Sequence, residues 1–360
     1  MKAAVYHGRR DIRIEDVPRP EPAPGELLLG VSGVGICGTD AAEYAGGPHM
    51  FPIHRTDPVT GHSGPMVPGH EFAGVVVGSG RGVQGFAEGD PVASGAGISC
   101  GACGPCTLGR TNLCERYSTV GLQRNGALAE FTTVPASACL NLADRTLATD
   151  VAAMAQPMSI AAHAVARGRL RAGEQAVVVG TGGIGAFVVH AAARLGAEVT
   201  GVDPDAGRLE VAAALGAHST VAAQHRTPLV DLLADAAPTV VFECTGVPAM
   251  VQEATDLVRP GGRVVVVGLQ EAPVPVDLRS LALREKELIG TLAHTFEADF
   301  GRATELLRSG GDVWRLVAPA VLPLEDLLVG GLLPMVSGDP TPIKALFDPR
   351  IDSPRPLVTG

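Results

Sequence analysis

The chain has 360 residues, 38 acidic and 28 basic, for a formal net charge of -10, and this shortage of Lys and Arg argues against nucleic acid as a partner, because phosphate-backbone binding needs a cationic face. With 46% hydrophobic and 18% charged residues the composition excludes a disordered or fibrous chain, and the length predicts two domains with a cleft between them. The opening MKAAVYHGRR lacks the apolar core of a secretory signal and no uncharged apolar run of roughly eighteen residues occurs, so neither a membrane association nor export is expected and a cytoplasmic location is the expectation.

In chain order, the first third is punctuated by glycine and proline, with short apolar alternations such as LLLGVSG and EFAGVVVGSG that read as strands between turns. From about Ala152 the texture changes to apolar strands alternating with alanine-rich helices: AVVVG, IGAFVVHAAARLG, EVTGVD, GRLEVAAALGA, then PTVVFECTG, AMVQEATDLVRPGG and RVVVVGLQ. This is the βαβ rhythm of a parallel sheet, so the fold class is α/β. The rhythm fades after about Thr291; a helix near DFGRATELLRSG and a tail ending in KALFDPR are expected to fold back onto the N-terminal part. The expected division is a discontinuous, mainly β domain at 1–156 and 294–360 around a doubly wound domain at 157–293.

Three constellations carry chemistry. GICGTD and PGHEFAG supply Cys37, His70 and Glu71; a thiolate and an imidazole suit Zn²⁺, but a catalytic site needs about three protein ligands and an open position, and this pair alone is a weak signal. Cys100, Cys103, Cys106 and Cys114 form C-x2-C-x2-C-x7-C among Gly101, Gly104, Pro105 and Gly109. Thiolates so spaced on a turning loop can close a tetrahedral structural site, with free thiols or an iron–sulfur cluster as alternatives. Seven cysteines, four of them in fifteen residues, fit a reducing compartment better than a disulfide scaffold. Finally, Gly180, Gly182 and Gly185 make G-x-G-x-x-G directly after a strand and opening a helix, where bare backbone can approach a pyrophosphate. Asp203 follows at the end of the next strand, where a carboxylate accepts from an adenosine ribose and repels a 2′-phosphate, favouring NAD; Arg208 lies beyond it on the adenine side.

Taken in order, GICGTD, PGHEFAG, the four-cysteine loop, AQPMSIAAHAV, GTGGIG, FECTGVP and RPGGRVVVVGL resemble the zinc-containing medium-chain dehydrogenases across nearly the whole chain, and CGTD-AAEY-GGP with PVTG most resembles the 2,3-butanediol and sorbitol dehydrogenase branch. The resemblance implies a GroES-like β domain carrying two zinc ions, joined to a Rossmann domain binding NAD(H). It implies catalytic zinc ligation by Cys37 and His70, with Gln156 where the branch usually has Glu, and with Glu71 close enough to approach the metal. Thr39 matches the hydroxyl that bonds the reacting oxygen, and the four cysteines match the structural zinc ligands. Further cofactor contacts are implied at Gly183, Ile184, Thr245, Gly268 and Leu269. Two departures fall at the reacting centre: Ala42 replaces a histidine that relays the alcohol proton, and Gln156 replaces the carboxylate. Glu43, His49 and His54 are candidates for that relay, each otherwise an ordinary surface-loop residue. The pocket is expected to draw on the loop from Tyr44 to Met66 and on residues near Phe296. The implied activity is hydride transfer between NAD(H) and a secondary alcohol, diol or polyol, in a homodimer or homotetramer. An NADH-dependent reductase of an activated carbonyl, iminium or enone, metal-free quinone reduction on the same scaffold, and a non-enzymatic dinucleotide-binding protein stand as alternatives.

Overall fold

In the computed structural model, which describes residues 1–143, 146–223, 227–270, 272–338 and 342–359, the valine-rich segments of the middle third line up as one six-stranded sheet. Its order is Ser219–Ala222, Glu198–Asp203, Gln175–Val179, Val240–Glu243, Arg263–Val266, Glu287–Gly290, and every pairing is parallel. The winding reverses between Gln175–Val179 and Val240–Glu243, and the crevice outside the carboxyl ends of two such strands is where this topology receives a ligand. Helices Gly183–Arg194, Ala206–Ala214 and Pro248–Leu257 carry the chain back between strands. Asp205 starts the second of these by accepting Arg208 N at 2.9 Å, the usual solution for an orphan amide at a helix N-terminus. Val177, Val178, Val240, Val241, Val264 and Val265 are all buried, as expected of strands covered on both faces, each contributing roughly 1.5–3 kcal/mol.

This unit, Pro157–His294, is compact in itself, and Met1–Gln156 with Thr295–Gly360 makes up a second. There the sheet runs Arg355–Pro356, Ala320–Pro323, Leu346–Asp348, Glu26–Gly35, Glu71–Ser79, Pro91–Ser94, Cys139–Asn141, with Phe131–Pro135 also on Glu26–Gly35. KALFDPR thus enters the N-terminal sheet as a strand. Instead of alternating, Glu26–Gly35 is buried from Leu27 onward, because elements pack on both of its faces: a Cβ on Gly33 would stand 3.3 Å from Ala153 Cβ, a tight contact. The only Trp of the sequence, Trp314, is fully buried in this unit and donates Nε1–H to Leu307 O.

One register brings distant residues to a common edge. Gly35 lies opposite Glu71 on one side and Leu346 on the other. Cys37, His70 and Lys344, each within two residues of that row, are therefore delivered to the same edge of the sheet although 33 and more residues separate them in sequence.

Candidate metal centre and dinucleotide site

Cys37 leaves the strand and becomes the N-cap of helix Gly38–Gly46. Three residues on, Asp40 turns back so that Oδ2 accepts Cys37 N at 2.9 Å, while Oδ1 stands 3.6 Å from His70 Nδ1. One ligand atom each from Cys37, His70 and Glu71 lies within 4.8 Å of the others; His70 and Glu71 are buried and Cys37 half-buried. Burial opposes a charge on His70, but the Asp40 carboxylate and the Cys37 sulfur outweigh it and hold the imidazole pKa well above the usual histidine range. A pocket that draws a proton onto a buried imidazole is one whose fixed charge favours a cation, and thiolate, imidazole and oxygen donors are those Zn²⁺ takes. Asp40 supplies the carboxylate that commonly orients a ligating histidine through its other nitrogen.

Glu71 is already engaged. Lys344 Nζ donates to Glu71 Oε1 and Oε2 at 2.5 and 2.6 Å and to Ile36 O at 3.5 Å, with both side chains almost fully buried. Burial works against the ammonium, yet Glu71 and Cys37 raise the Lys344 pKa above its ordinary value. Gly35 is required here, since a Cβ would come 2.6 Å from Glu71 Oε2. Thr39 Oγ1 is 3.9 Å from Cys37 Sγ. Gln156 is buried in the first turn of helix Ala155–Arg167, and Ala42 is exposed.

Glu43 requires a correction. Far from being a surface-loop side chain, it is 1% exposed, and its carboxylate accepts the backbone N–H of His49 at 2.8 Å and that of Met50. Its burial is tolerated because two amides replace water, and both oxygens are occupied with folding the turn. His49 and His54 are exposed.

The four cysteine sulfurs also converge within 4.8 Å of one another. Cys103 Sγ is 3.4 Å from Cys106 Sγ and 3.9 Å from Cys114 Sγ, close to the ~3.8 Å edge of a tetrahedron with Zn–S bonds of about 2.3 Å. Backbone N–H groups of Cys100 and Arg116 point at Cys114 Sγ. Backbone N–H groups of Ala102 and Cys103 draw the Cys100 thiol down to about 6, while burial and the thiols of Cys103 and Cys114 push Cys106 up to about 12. A divalent cation resolves that conflict by allowing all four to be thiolates.

In the other unit, Gly180 adopts φ +86° and a Cβ there would meet Thr245 Cγ2 at 2.8 Å; a Cβ on Gly185 would fall 1.7 Å from Gly180 O. The helix can therefore start only against bare backbone. Gly182 is its N-cap, Gly183 faces open space and Ile184 is half-buried, which leaves the first amides accessible to an anion. Asp203 is 2% exposed: Oδ2 accepts Thr181 N at 2.8 Å and Oδ1 accepts Asp205 N at 3.0 Å, so each oxygen keeps lone-pair capacity for one more donor. The Arg208 guanidinium lies 4.0 Å from Asp203 Oδ2 and beside Gly182. Thr245 sits on the loop after Val240–Glu243, and Gly268 and Leu269 on the loop after Arg263–Val266, Leu269 being 76% exposed. Asp40, Lys344 and Glu243, the last described below, were given no role by sequence reasoning. Asp40 had a signal in the CGTD motif itself; a lone lysine ahead of ALFDPR offers almost none.

A mixed β unit with a thiolate–imidazole centre and a four-thiol loop, together with a doubly wound unit opening on a glycine turn, defines the class of two-domain metallodehydrogenases. Residues 23–144 match the alcohol dehydrogenase GroES-like domain family and residues 183–309 the zinc-binding dehydrogenase family. A 2-dehydro-3-deoxy-L-galactonate 5-dehydrogenase from Pseudoalteromonas atlantica is 35% identical over 97% of this chain and 98% of its own. The crystal structure of 2R,3R-butanediol dehydrogenase from Bacillus subtilis superposes with a TM-score of 0.88 at 29% identity, covering 97% of this chain and 99% of that one. An Escherichia coli alcohol dehydrogenase complexed with NADH gives 0.85 at 25%, over 96% and 98%. The chain belongs to the zinc-type medium-chain dehydrogenases, in the branch that contains butanediol and sorbitol dehydrogenases, and is an oxidoreductase.

Proposed function

We propose that this protein interconverts a secondary alcohol, diol or polyol with its ketone, exchanging hydride with NAD(H) at a zinc centre held by Cys37 and His70. The observation that carries the reading is the register through Gly35, which draws a thiol, an imidazole and a carboxylate into one buried cluster. When bound, the ion supplies Lewis acidity that lets a substrate hydroxyl lose its proton near neutral pH. Thr39 Oγ1 would accept that proton while releasing its own towards the cofactor ribose and then water, since Ala42 offers no imidazole. The Asp40 carboxylate, 3.6 Å from His70 Nδ1, favours a proton on that nitrogen and would leave Nε2 to face the metal. Lys344 retains Glu71, so Gln156 would supply the remaining oxygen; a neutral amide there would leave an ion's charge less compensated.

In this reading the unit Met1–Gln156 with Thr295–Gly360 is the metal domain, and Cys100, Cys103, Cys106 and Cys114 fill every position of a second, structural zinc. Pro157–His294 is the dinucleotide domain. The turn Gly180, Gly182, Gly183, Ile184 and Gly185 takes the pyrophosphate, Asp203 and Arg208 the adenosine end, and Thr245, Gly268 and Leu269 the nicotinamide end. Seven free cysteines suit a reducing, cytoplasmic setting; no helix among the described residues is long and apolar enough to cross a membrane. A homo-oligomer is also part of the proposal. Glu287–Gly290 is an edge strand with Leu288 41% exposed, and the adjoining helix Leu278–Leu283 buries no residue, with Leu278 and Leu283 each 73% exposed, an apolar edge that a second copy would cover.

A screen of diols and polyols with NAD and of ketones with NADH, followed by NADH absorbance beside zinc analysis, tests the reading. Turnover of a diol with two zinc ions per chain is expected, and C37S should abolish turnover while retaining NADH binding; full activity in C37S would sink it. The second reading, reduction of an activated carbonyl, is favoured by Ala42 and wins if only the ketone and enone arm of the screen responds.

A further inference from the structure

Glu243 ends the fourth strand of the parallel sheet at the point where the winding reverses, and its side chain is fully buried. Its hydrogen bonds among the described residues come from neutral donors alone. Oε1 accepts Thr245 N at 2.7 Å, Thr245 Oγ1 at 2.5 Å and Gly246 N at 3.1 Å; Oε2 accepts Gln270 Nε2 at 3.1 Å. The first three donors belong to the loop after Val240–Glu243 and the last to the loop after Arg263–Val266. Those two loops touch through bare backbone: a Cβ on Gly268 would stand 2.2 Å from Gly246 N, and one on Gly246 2.9 Å from Leu269 O. The Glu243 carbonyl also accepts Val267 N and Gly268 N at 2.8 and 2.9 Å. The side chain of Glu243 thus bonds both loops, and its carbonyl holds the second of them a second time. A carboxylate buried without a cation is costly unless several donors replace water, and a hydrophobic residue would fill the space more cheaply. The expense is explained if the two loops must be held at a fixed spacing.

We propose that Glu243 and Gln270 are positioning residues for the dinucleotide, a side-chain staple that sets the distance between Thr245 on one loop and Gly268 and Leu269 on the other. The inference rests on the reading above that those three residues face the cofactor. Gln270 has its amide nitrogen towards Glu243 and its Oε1 buried with no hydrogen-bond partner among the described residues, so there the amide contributes to this site through one donor. Replacing it with a second carboxylate sets two carboxyl groups about 3 Å apart, which share one proton at low pH and repel once both are ionised, so the titration is run at about pH 9, where the loops are driven apart. Exchanging the two groups restores one donor facing one acceptor and leaves the three donors on Oε1 a carbonyl to bond.

Titrating zinc-loaded, full-length protein with NADH and following cofactor fluorescence tests this. Q270E should raise the NADH Kd at least tenfold while zinc content stays at the wild-type value, and the exchange E243Q/Q270E should return Kd to within threefold of wild type. A generally loosened fold would not be rescued by the exchange. Wild-type affinity in Q270E, or a double variant no better than Q270E, overturns the staple. Should Q270E fail to fold by circular dichroism, Q270A decides: a Kd raised threefold or more supports the proposal and an unchanged one overturns it. If the wild-type protein itself binds no NADH, it is the functional reading that fails instead.

Discussion

Replacing Lys344 by Met removes an ammonium but keeps most of the apolar stem, and the consequence follows from how deeply the pair is buried. The Lys344 and Glu71 side chains retain 3% and 1% of their surface, so water cannot take the place of the lost partner. Removing one member of such a pair leaves an uncompensated buried charge, at a cost of about 3–5 kcal/mol. Trp314 reports on this unit alone, being the single Trp of the sequence and buried within Thr295–Gly360. Urea unfolding followed by its fluorescence should show that loss in K344M when the Cys37 site is stripped of metal. With zinc present the stranded carboxylate has another cation within reach, because a Glu71 oxygen lies inside the same 4.8 Å cluster as Cys37 Sγ and a His70 nitrogen. Whatever part of the penalty the ion relieves must reappear as tighter zinc binding, by closure of the thermodynamic cycle. Recovery of only 1.4 kcal/mol makes the site tenfold tighter, measurable by competition with a chelator. Turnover should fall at the same time, since the Glu71 carboxylate, a fourth protein donor beside Cys37, His70 and Gln156, would fill the open position. K344M/E71Q should lose the gain in affinity. Zinc affinity in K344M equal to or weaker than wild type would refute the claim that Lys344 is what keeps Glu71 off the metal.

Asp40 acts on the centre through Cys37 N and His70 Nδ1; D40N should therefore lower zinc affinity about 10–100-fold, and unchanged metal retention after dialysis against a chelator would count against that role. C106S should cut the zinc content from two ions to one per chain and shift the Trp314 unfolding transition to lower urea, with NADH binding retained; retention of both ions would reject the structural assignment. G185A brings a Cβ against Gly180 O, an immovable backbone atom, so the helix must back away from the turn and NADH affinity should drop at least roughly tenfold, which calorimetry reads directly; wild-type affinity would show that the turn is not where the pyrophosphate sits.

What was legible in the sequence was local. The glycine turn, its strand and its helix occupy one contiguous stretch, and hydrophobic periodicity reports such stretches directly, so the α/β class and the parallel sheet could be read from valine runs and alanine-rich segments. The four cysteines lie within fifteen residues, and their approach needs only a loop that bends. The centre around Cys37 is different in kind. Its geometry depends on strand register between segments far apart in sequence, and no spacing encodes that Leu346 will lie beside Gly35. Lys344 was therefore invisible, and without it the question raised by Gln156, whether Glu71 moves towards the metal, had no physical answer. Glu43 was misjudged for a related reason: polarity predicts exposure only when water is the cheapest partner, and in a turn with two amides to satisfy, a carboxylate is worth more inside. Glu243 repeats that logic in the other unit, spending a buried charge on backbone donors rather than on a cation. In both units the polar residues that sequence reasoning undervalued hold neighbouring backbone in position, and the chemistry rests on side chains whose own partners are fixed by pairing over long distances along the chain.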